Sequence, residues 1–235
     1  MFAVFETALF TFLRESLLPS RCLICAGGRE VENGVCGVCR AGMHPVPEPV
    51  CGVCGSPVGT PGTCLQCRLS PPAFDRCVSA CLFEGPVREV IHRFKYGRQT
   101  VYKKFLARLI YALVSEKGLT ADILVPVPLH WSRLAARGYN QSSLIAQELS
   151  RYMKTDVRYG IISKAGKTPN QVGLSKRDRG SNLRRVFRAS AVAGKTVMVV
   201  DDVVTTGGTA REISRTLKDA GAAKVIFVSA GRAVS

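Results

Sequence analysis

The sequence predicts an α/β fold built on a parallel sheet, preceded by a small cysteine-rich module. Two observations predict it. From about residue 77 onward, short apolar runs alternate with amphipathic stretches of helical period, the pattern of strands and crossover helices in a parallel sheet. Before that point, eight of the ten cysteines fall into four Cys-x-x-Cys pairs, in a segment with few large apolar residues. With 235 residues, 46% of them apolar, the chain can hold one large packed domain and a small module.

Residues 1–20 read as a helix with Phe2, Phe5, Leu9, Phe12 and Leu13 on one broad face. The segment lacks a basic start, and Glu6 interrupts its apolar stretch, so it does not read as a signal peptide. Its polar face has no Lys/Arg cluster, so docking on the body is favoured over lying on a membrane. Residues 21–72 form the cysteine module, which closes at Pro71-Pro72.

Residues 73–235 form the α/β domain. A strand is expected at 77–83, then a helix from near Pro86 to Gly97 and a second at 101–116. ADILVPVPLH, 121–130, reads as a buried strand with its prolines near the end. A helix at 141–153, a short strand at 156–163 and a strand at 197–201 follow. A helix at 209–220, capped by Gly221, and a strand at 224–231 complete the order. No apolar run approaches the ~18 residues of a membrane span, and a cytoplasmic protein is expected.

Charge is unevenly placed. Residues 1–70 hold five Lys/Arg and five Asp/Glu, so the whole net charge of +16 sits in residues 71–235. Such a segment favours polyanions, either phosphorylated small molecules or nucleic acid.

The four pairs are Cys22/Cys25, Cys36/Cys39, Cys51/Cys54 and Cys64/Cys67. Each can present two thiolates to one tetrahedral cation, so two structural zinc ions are the simplest count. The pairing pattern argues against a disulfide framework. Sequential sharing of the knuckles closes the shorter loops. Interleaved sharing, first with third and second with fourth, is the alternative. Four cysteines leave no open position on the metal, so the role is structural. Two such sites would lower the net charge to about +12. Cys77 and Cys81 stand apart, four residues from each other in a strand, and read as buried structural thiols.

The chemistry concentrates in VMVVDDVVTTGGTA, 197–210. Ligands in parallel sheets bind at the carboxyl ends of the strands, where Asp201 and Asp202 fall. Thr205, Thr206, Gly207, Gly208 and Thr209 then lead into a helix N-terminus, whose unpaired N–H groups favour an anion. The loop reads as a monophosphate cup and the acids as acceptors for sugar hydroxyls, which together suggest a ribose 5-phosphate. A nucleotide-hydrolase loop fails: Gly166-Lys167-Thr168 and Gly194-Lys195-Thr196 both lack the first glycine of that motif. No G-x-G-x-x-G is present. A merely capped helix start would explain one of these acids or threonines but not the set.

This stretch resembles the phosphoribosyl-pyrophosphate motif of type I phosphoribosyltransferases. More of the chain resembles the ComF family, competence-associated phosphoribosyltransferase-like proteins with an N-terminal double zinc-ribbon module. The matching pieces are the four knuckles, FEGPVREVIHRFKYG (83–97), ADILVPVPLHWSRLAARGYNQ (121–141), KTPNQVGLSKRDRGSNLRRVF (167–187) and the stretch above. The resemblance implies that Asp201 and Asp202 bind ribose hydroxyls and that Thr205–Thr209 bind the 5-phosphate. It places Pro128, Leu129 and His130 in a pyrophosphate loop, with Arg133 and Arg137 near enough to neutralise the leaving group. Mg²⁺ would bridge ribose and pyrophosphate oxygens. Residues 164–188, with eight Lys/Arg against Asp178 alone, read as a basic hood over substrate or nucleic acid. The family's link to transformation implies single-stranded DNA and DNA-uptake proteins as partners. The alternative to a phosphoribosyl-binding or transferring role is a non-catalytic nucleic-acid-binding adaptor that uses the basic half and the zinc module. For His130 a helper role and a structural role stand equal.

Overall fold

A computed structural model describes residues 21–28, 30–164 and 187–234. The expected N-terminal helix, and the expected hood apart from Lys164, Phe187 and Arg188, lie outside the described residues. The chain divides into two compact units, one through Met43 and one from His44.

In the first unit the Cys22–Cys25 turn is followed by a short hairpin. Strands β1 (Val31–Glu32) and β2 (Val35–Cys36) pair antiparallel across Asn33-Gly34, a dipeptide suited to a two-residue hairpin turn. Helix α1 (Gly37–Ala41) starts at Cys36, whose sulfur accepts from the Cys39 N–H.

In the second unit the knuckle at Cys51–Cys54 and helix α2 (Leu65–Leu69) accompany the α/β body. The knuckle lies directly on strand β3 (Arg76–Leu82), where the Cys77 N–H donates to the Val53 carbonyl at 2.8 Å. Gly55 makes this approach possible. Its φ is +68°, and a Cβ there would stand 2.4 Å from the Cys77 carbonyl oxygen.

The sheet has four parallel strands in the order β3, β8 (Lys224–Arg232), β7 (Thr196–Val204), β4 (Ile123–Pro126). β7 is buried on both faces, which is why VMVV reads as an unbroken apolar run. Val197 and Val199 share a core cluster with Ile213 and Leu217 of helix α7 (Gly208–Asp219). Helices α4 (Tyr102–Glu116) and α6 (Gln141–Met153) pack against each other, α4 on β3 and β8, α6 on β4 and β7. Helix α3 (Gly85–Tyr96) has Pro86 in its first turn and ends at Gly97, as the sequence predicts. Helix α5 (Trp131–Arg137) is short and buries none of its residues. Cys77 and Cys81 are both buried, as expected, and burial pushes each thiol up to about 11.

Three expectations change. The strand in ADILVPVPLH stops at Pro126, because Pro128 has no N–H to continue the ladder. The single strand expected at 156–163 is divided. Val157 touches β4 at Leu124, the chain turns at Tyr159–Gly160, and strand β5 (Ile162–Lys164) pairs antiparallel with β6 (Phe187–Ala189). β7 runs on to Val204, so Asp201 and Asp202 lie within the strand and not at its last residue. On the β8 side the ladder continues as Asp201↔Ser229. On the other side β4 ends at Pro126, opposite Val200. The crevice opens where that neighbour stops, at the first acid.

Candidate ribose-phosphate site and metal centres

Beyond the end of β4 lies a cavity of about 320 Å³. Pro128, Leu129, His130, Arg133, Arg137, Asp201, Asp202, Thr205 and Thr209 line it. Residues from two distant stretches, 128–137 and 201–209, therefore share one wall. Thr206 and Gly207 turn away from it and line a second cavity of about 470 Å³ on the other side of the loop. Gly208 opens α7, and Gly207 before it has φ +77°, a conformation that glycine adopts without strain.

Local contacts explain the arrangement. Asn140 caps α6, accepting from the Ser142 N–H at 3.0 Å, while its Nδ2 donates to the Val127 carbonyl at 2.9 Å. One side chain thus fixes both the helix start and the 127–130 loop. His130 caps α5, its Nδ1 accepting from the Ser132 N–H. The Tyr139 hydroxyl donates to the Phe94 carbonyl, tying α3 to the same corner. Arg137 donates to Gln141 Oε1 at 3.0 Å and lies 4.9 Å from the Tyr96 ring centroid.

The two acids are held differently. Ser142 Oγ donates to Asp201 at 2.8 Å, and the Asp202 N–H donates to the same oxygen at 2.9 Å. Lys95 of α3 pairs with Asp202 at 2.8 Å, largely shielded from water. Burial, and then the charge of Asp202, push Asp201 up to about 7; Ser142 and Lys95 pull the other way. Burial also raises Asp202, against the pull of Lys95. Lys95 is the cation in contact with the pair, Arg137 adds a further pull on Asp202, and of the two acids Asp202 is the buried one and Asp201 half-buried. Gln141, also buried on this wall, has an Nε2 donor with no acceptor among the described residues.

Sequence reasoning did not single out Lys95, Ser142, Gln141 or Asn140. Lys95 stands in the quoted FKYG, one residue from the helix end, and a lone lysine there was a usable signal. Ser142 and Asn140 carried none beyond their closeness to Arg137.

The cysteines gather sequentially. Cys22, Cys25, Cys36 and Cys39 form one group, and Cys51, Cys54, Cys64 and Cys67 the other, each with all four sulfurs within 4.8 Å of one another. Sulfurs around a tetrahedral zinc at about 2.3 Å stand about 3.8 Å apart. The Cys25–Cys36 and Cys54–Cys64 sulfurs are 3.7 Å apart, so donor type and spacing fit zinc. Without a cation the thiols cannot all ionise. Burial opposes ionisation of Cys22, but N–H groups of Cys25, Cys36 and Ile24 outweigh it and bring it down to about 6. Burial and the neighbouring cysteines push Cys39 up to about 12. Cys51 and Cys67 diverge in the same two directions. A metal would supply the missing positive charge.

Comparison with known proteins agrees with both parts. Residues 13–68 match the model of the double zinc ribbon domain, and residues 103–231 that of the phosphoribosyl transferase domain. Competence protein F of Haemophilus influenzae is 33% identical over 216 residues, covering 87% of this chain and 93% of that protein. The chain belongs to the ComF family. DNA utilization protein YhgH of Escherichia coli K12 is also 33% identical, over 88% of this chain and 95% of its own length. Competence protein ComFC of Bacillus subtilis is 25% identical over 80% of each chain. The two family models together take in both cysteine groups and the loop after β7. Among the described residues no helix is long and apolar enough to cross a membrane.

Proposed function

We propose that this ComF-family chain binds phosphoribosyl pyrophosphate with Mg²⁺ in the cavity beyond β4 and presents it for phosphoribosyl transfer. The observation that carries the reading is the wall shared by the two acids, Thr205, Thr209 and the arginines. Asp201 and Asp202 accept the ribose hydroxyls. Thr205 and Thr209, the loop residues that line this cavity, receive the 5-phosphate at the start of α7. Arg133 and Arg137, with the Pro128–His130 loop, face the pyrophosphate, and Gln141 Nε2 supplies a buried donor. Mg²⁺ when bound would neutralise charge between ribose and pyrophosphate oxygens. The chain's own share of transfer is electrostatic: its cations stabilise the leaving pyrophosphate. Zinc would fill both cysteine groups. Reduced thiolate centres of this kind belong to a cytoplasmic setting.

The test is calorimetric titration with phosphoribosyl pyrophosphate, with and without Mg²⁺, at pH 6 and pH 8. Folding raises the pKa of Asp201 from 3.8 to about 7. The native state thus binds this proton more tightly than the unfolded chain, and the group's contribution to stability falls as pH rises through that window. Sugar hydroxyls donate to the ionised form, so binding releases the proton and strengthens from pH 6 to pH 8. Absence of Mg²⁺-dependent heat at both pH values rejects the reading. Pyrophosphate release across a panel of acceptors then separates an enzyme from a binder.

A second reading has its own observation. Trp131, 69% exposed and the sole tryptophan, lies beside Arg133 on a helix with no buried residue. With the net charge of +16 it suits single-stranded DNA, and the relatives' names point to DNA use. In this reading the protein acts as an adaptor among DNA-uptake proteins, with or without the first activity. Trp131 fluorescence is expected to quench on adding oligodeoxythymidine, with affinity falling about 10-fold or more between 50 and 200 mM salt. A signal that ignores salt, or none, counts against it.

A further inference from the structure

We propose that Arg211 and Arg232 are the counter-cations of the second four-cysteine centre, and that through them a metal held there fixes the shape of the Thr205–Thr209 loop. The second clause rests on the phosphate-cup reading above; the first does not.

A divalent ion with four thiolates carries a net charge of −2. Around the second group that charge has defined neighbours. Arg232, at the end of β8, is 95% buried, with a relative exposure of 5%. Its Nη2 donates to Ser56 Oγ at 2.6 Å, and that oxygen lies 3.3 Å from Cys54 Sγ. Its Nη1 is buried with no hydrogen-bond partner among the described residues. A buried guanidinium is costly unless negative charge stands near it. The cavity of about 470 Å³ that Arg232 lines has no aspartate or glutamate in its wall. Three sulfurs line it: that of Cys77, which interacts with Arg232 but is kept a neutral thiol by burial, and those of Cys54 and Cys64, which become anionic when a metal is held. Arg211, on the same wall, donates to the Ser70 carbonyl at 2.7 Å and brings Nη2 to 4.0 Å from Cys67 Sγ. In the first group the neighbours are backbone amides, with Ile24 and Gly27 donating to Cys22 and Cys25.

Both arginines spring from the elements that frame the loop. Arg232 is in register with Val204, the last residue of β7. The Arg211 N–H donates to the Gly207 carbonyl at 2.9 Å, in the first turn of α7. A charged centre thus grips the residues just before and just after Thr205–Thr209. Without it, two cations face an acid-free cavity, and their repulsion acts on the loop's two ends.

The experiment follows zinc release from the zinc-loaded full chain to 4-(2-pyridylazo)resorcinol. Arg232→Met and Arg211→Met are each expected to speed release of one zinc about 10-fold and leave the other unchanged, with Arg211→Lys restoring most of the parent behaviour. Arg211 is half-exposed, so its variants remain informative if Arg232→Met does not fold. Release curves of both methionine variants that superimpose on the parent overturn the first clause. In a second arm, calorimetry with phosphoribosyl pyrophosphate and Mg²⁺ should show affinity about 3-fold weaker or more in Arg211→Met. Equal affinity in parent and variant overturns the second clause. A parent that binds none removes the phosphate-cup reading and the second clause together, while the zinc arm still decides the first.

Discussion

Asp201→Asn with Asp202→Asn is expected to weaken phosphoribosyl pyrophosphate binding by about 10²-fold or more, because each hydrogen bond to a charged acceptor contributes ~1.5–3 kcal/mol. An asparagine offers one acceptor oxygen where the carboxylate offers two, and the amide side opposes a hydroxyl donor only weakly. The loss is not a folding artefact of the kind that follows core truncation. Asn matches the shape of Asp, and burial already disfavours both charges. Asp201→Asn alone should melt at or above the parent temperature, since it removes a charge that desolvation and the neighbouring Asp202 both disfavour. Asp202→Asn is different, because it leaves Lys95 without its partner at 2.8 Å. Calorimetry on all three variants, with a thermal melt of each, tests the assignment. Parent-like affinity in the double variant would remove the acids from sugar recognition.

The second large effect concerns the metal centre beside the sheet. Cys51→Ser is expected to lose one zinc per chain and lower the melting temperature by about 10 °C or more. Loss of a structural zinc removes several kcal/mol of folding energy, and in a chain of this size each kcal/mol shifts the midpoint by about 2–4 °C. The effect reaches the α/β body because the knuckle is bound to it. Val53 and Cys54 pack against the core cluster that contains Val199 and Phe227, and Gly55 sits against the Cys77 carbonyl. Metal analysis and calorimetric melting check the result. A main transition that stays at the parent temperature would show that this centre does not support the body.

Much of this was legible in the sequence because it depends on short-range rules. The parallel sheet follows from strands buried on both faces, and the helix ends follow from Pro86, Gly97 and Gly221. The two cysteine groups follow from x-x spacing, although the choice between sequential and interleaved sharing needed coordinates. The acids and the threonine loop could be named because each carries its own chemistry in a few residues, whereas the 128–137 arginines were named only through the resemblance to the ComF family. What resisted reading were contacts between distant segments. Lys95 meets Asp202 across 107 positions of chain, and Arg232 meets Ser56 across 176. No local pattern encodes such a pairing. The extent of β7 also escaped, because Asp201 and Asp202 look like the end of an apolar run, yet the ladder with β8 carries them on to Val204. The partial strand at 156–163 failed for the opposite reason, since a turn at Tyr159–Gly160 breaks an otherwise plausible run.

The Lys95–Asp202 contact has a further consequence. The Asp202 carboxylate is buried and Lys95 mostly covered, so mobile ions screen this pair less than they screen the exposed Arg133 on the cavity rim. Salt therefore acts on the two parts unequally. If the cavity holds a phosphoribosyl group and the rim a DNA strand, as proposed above, rising salt is expected to weaken the strand's binding more than the sugar phosphate's.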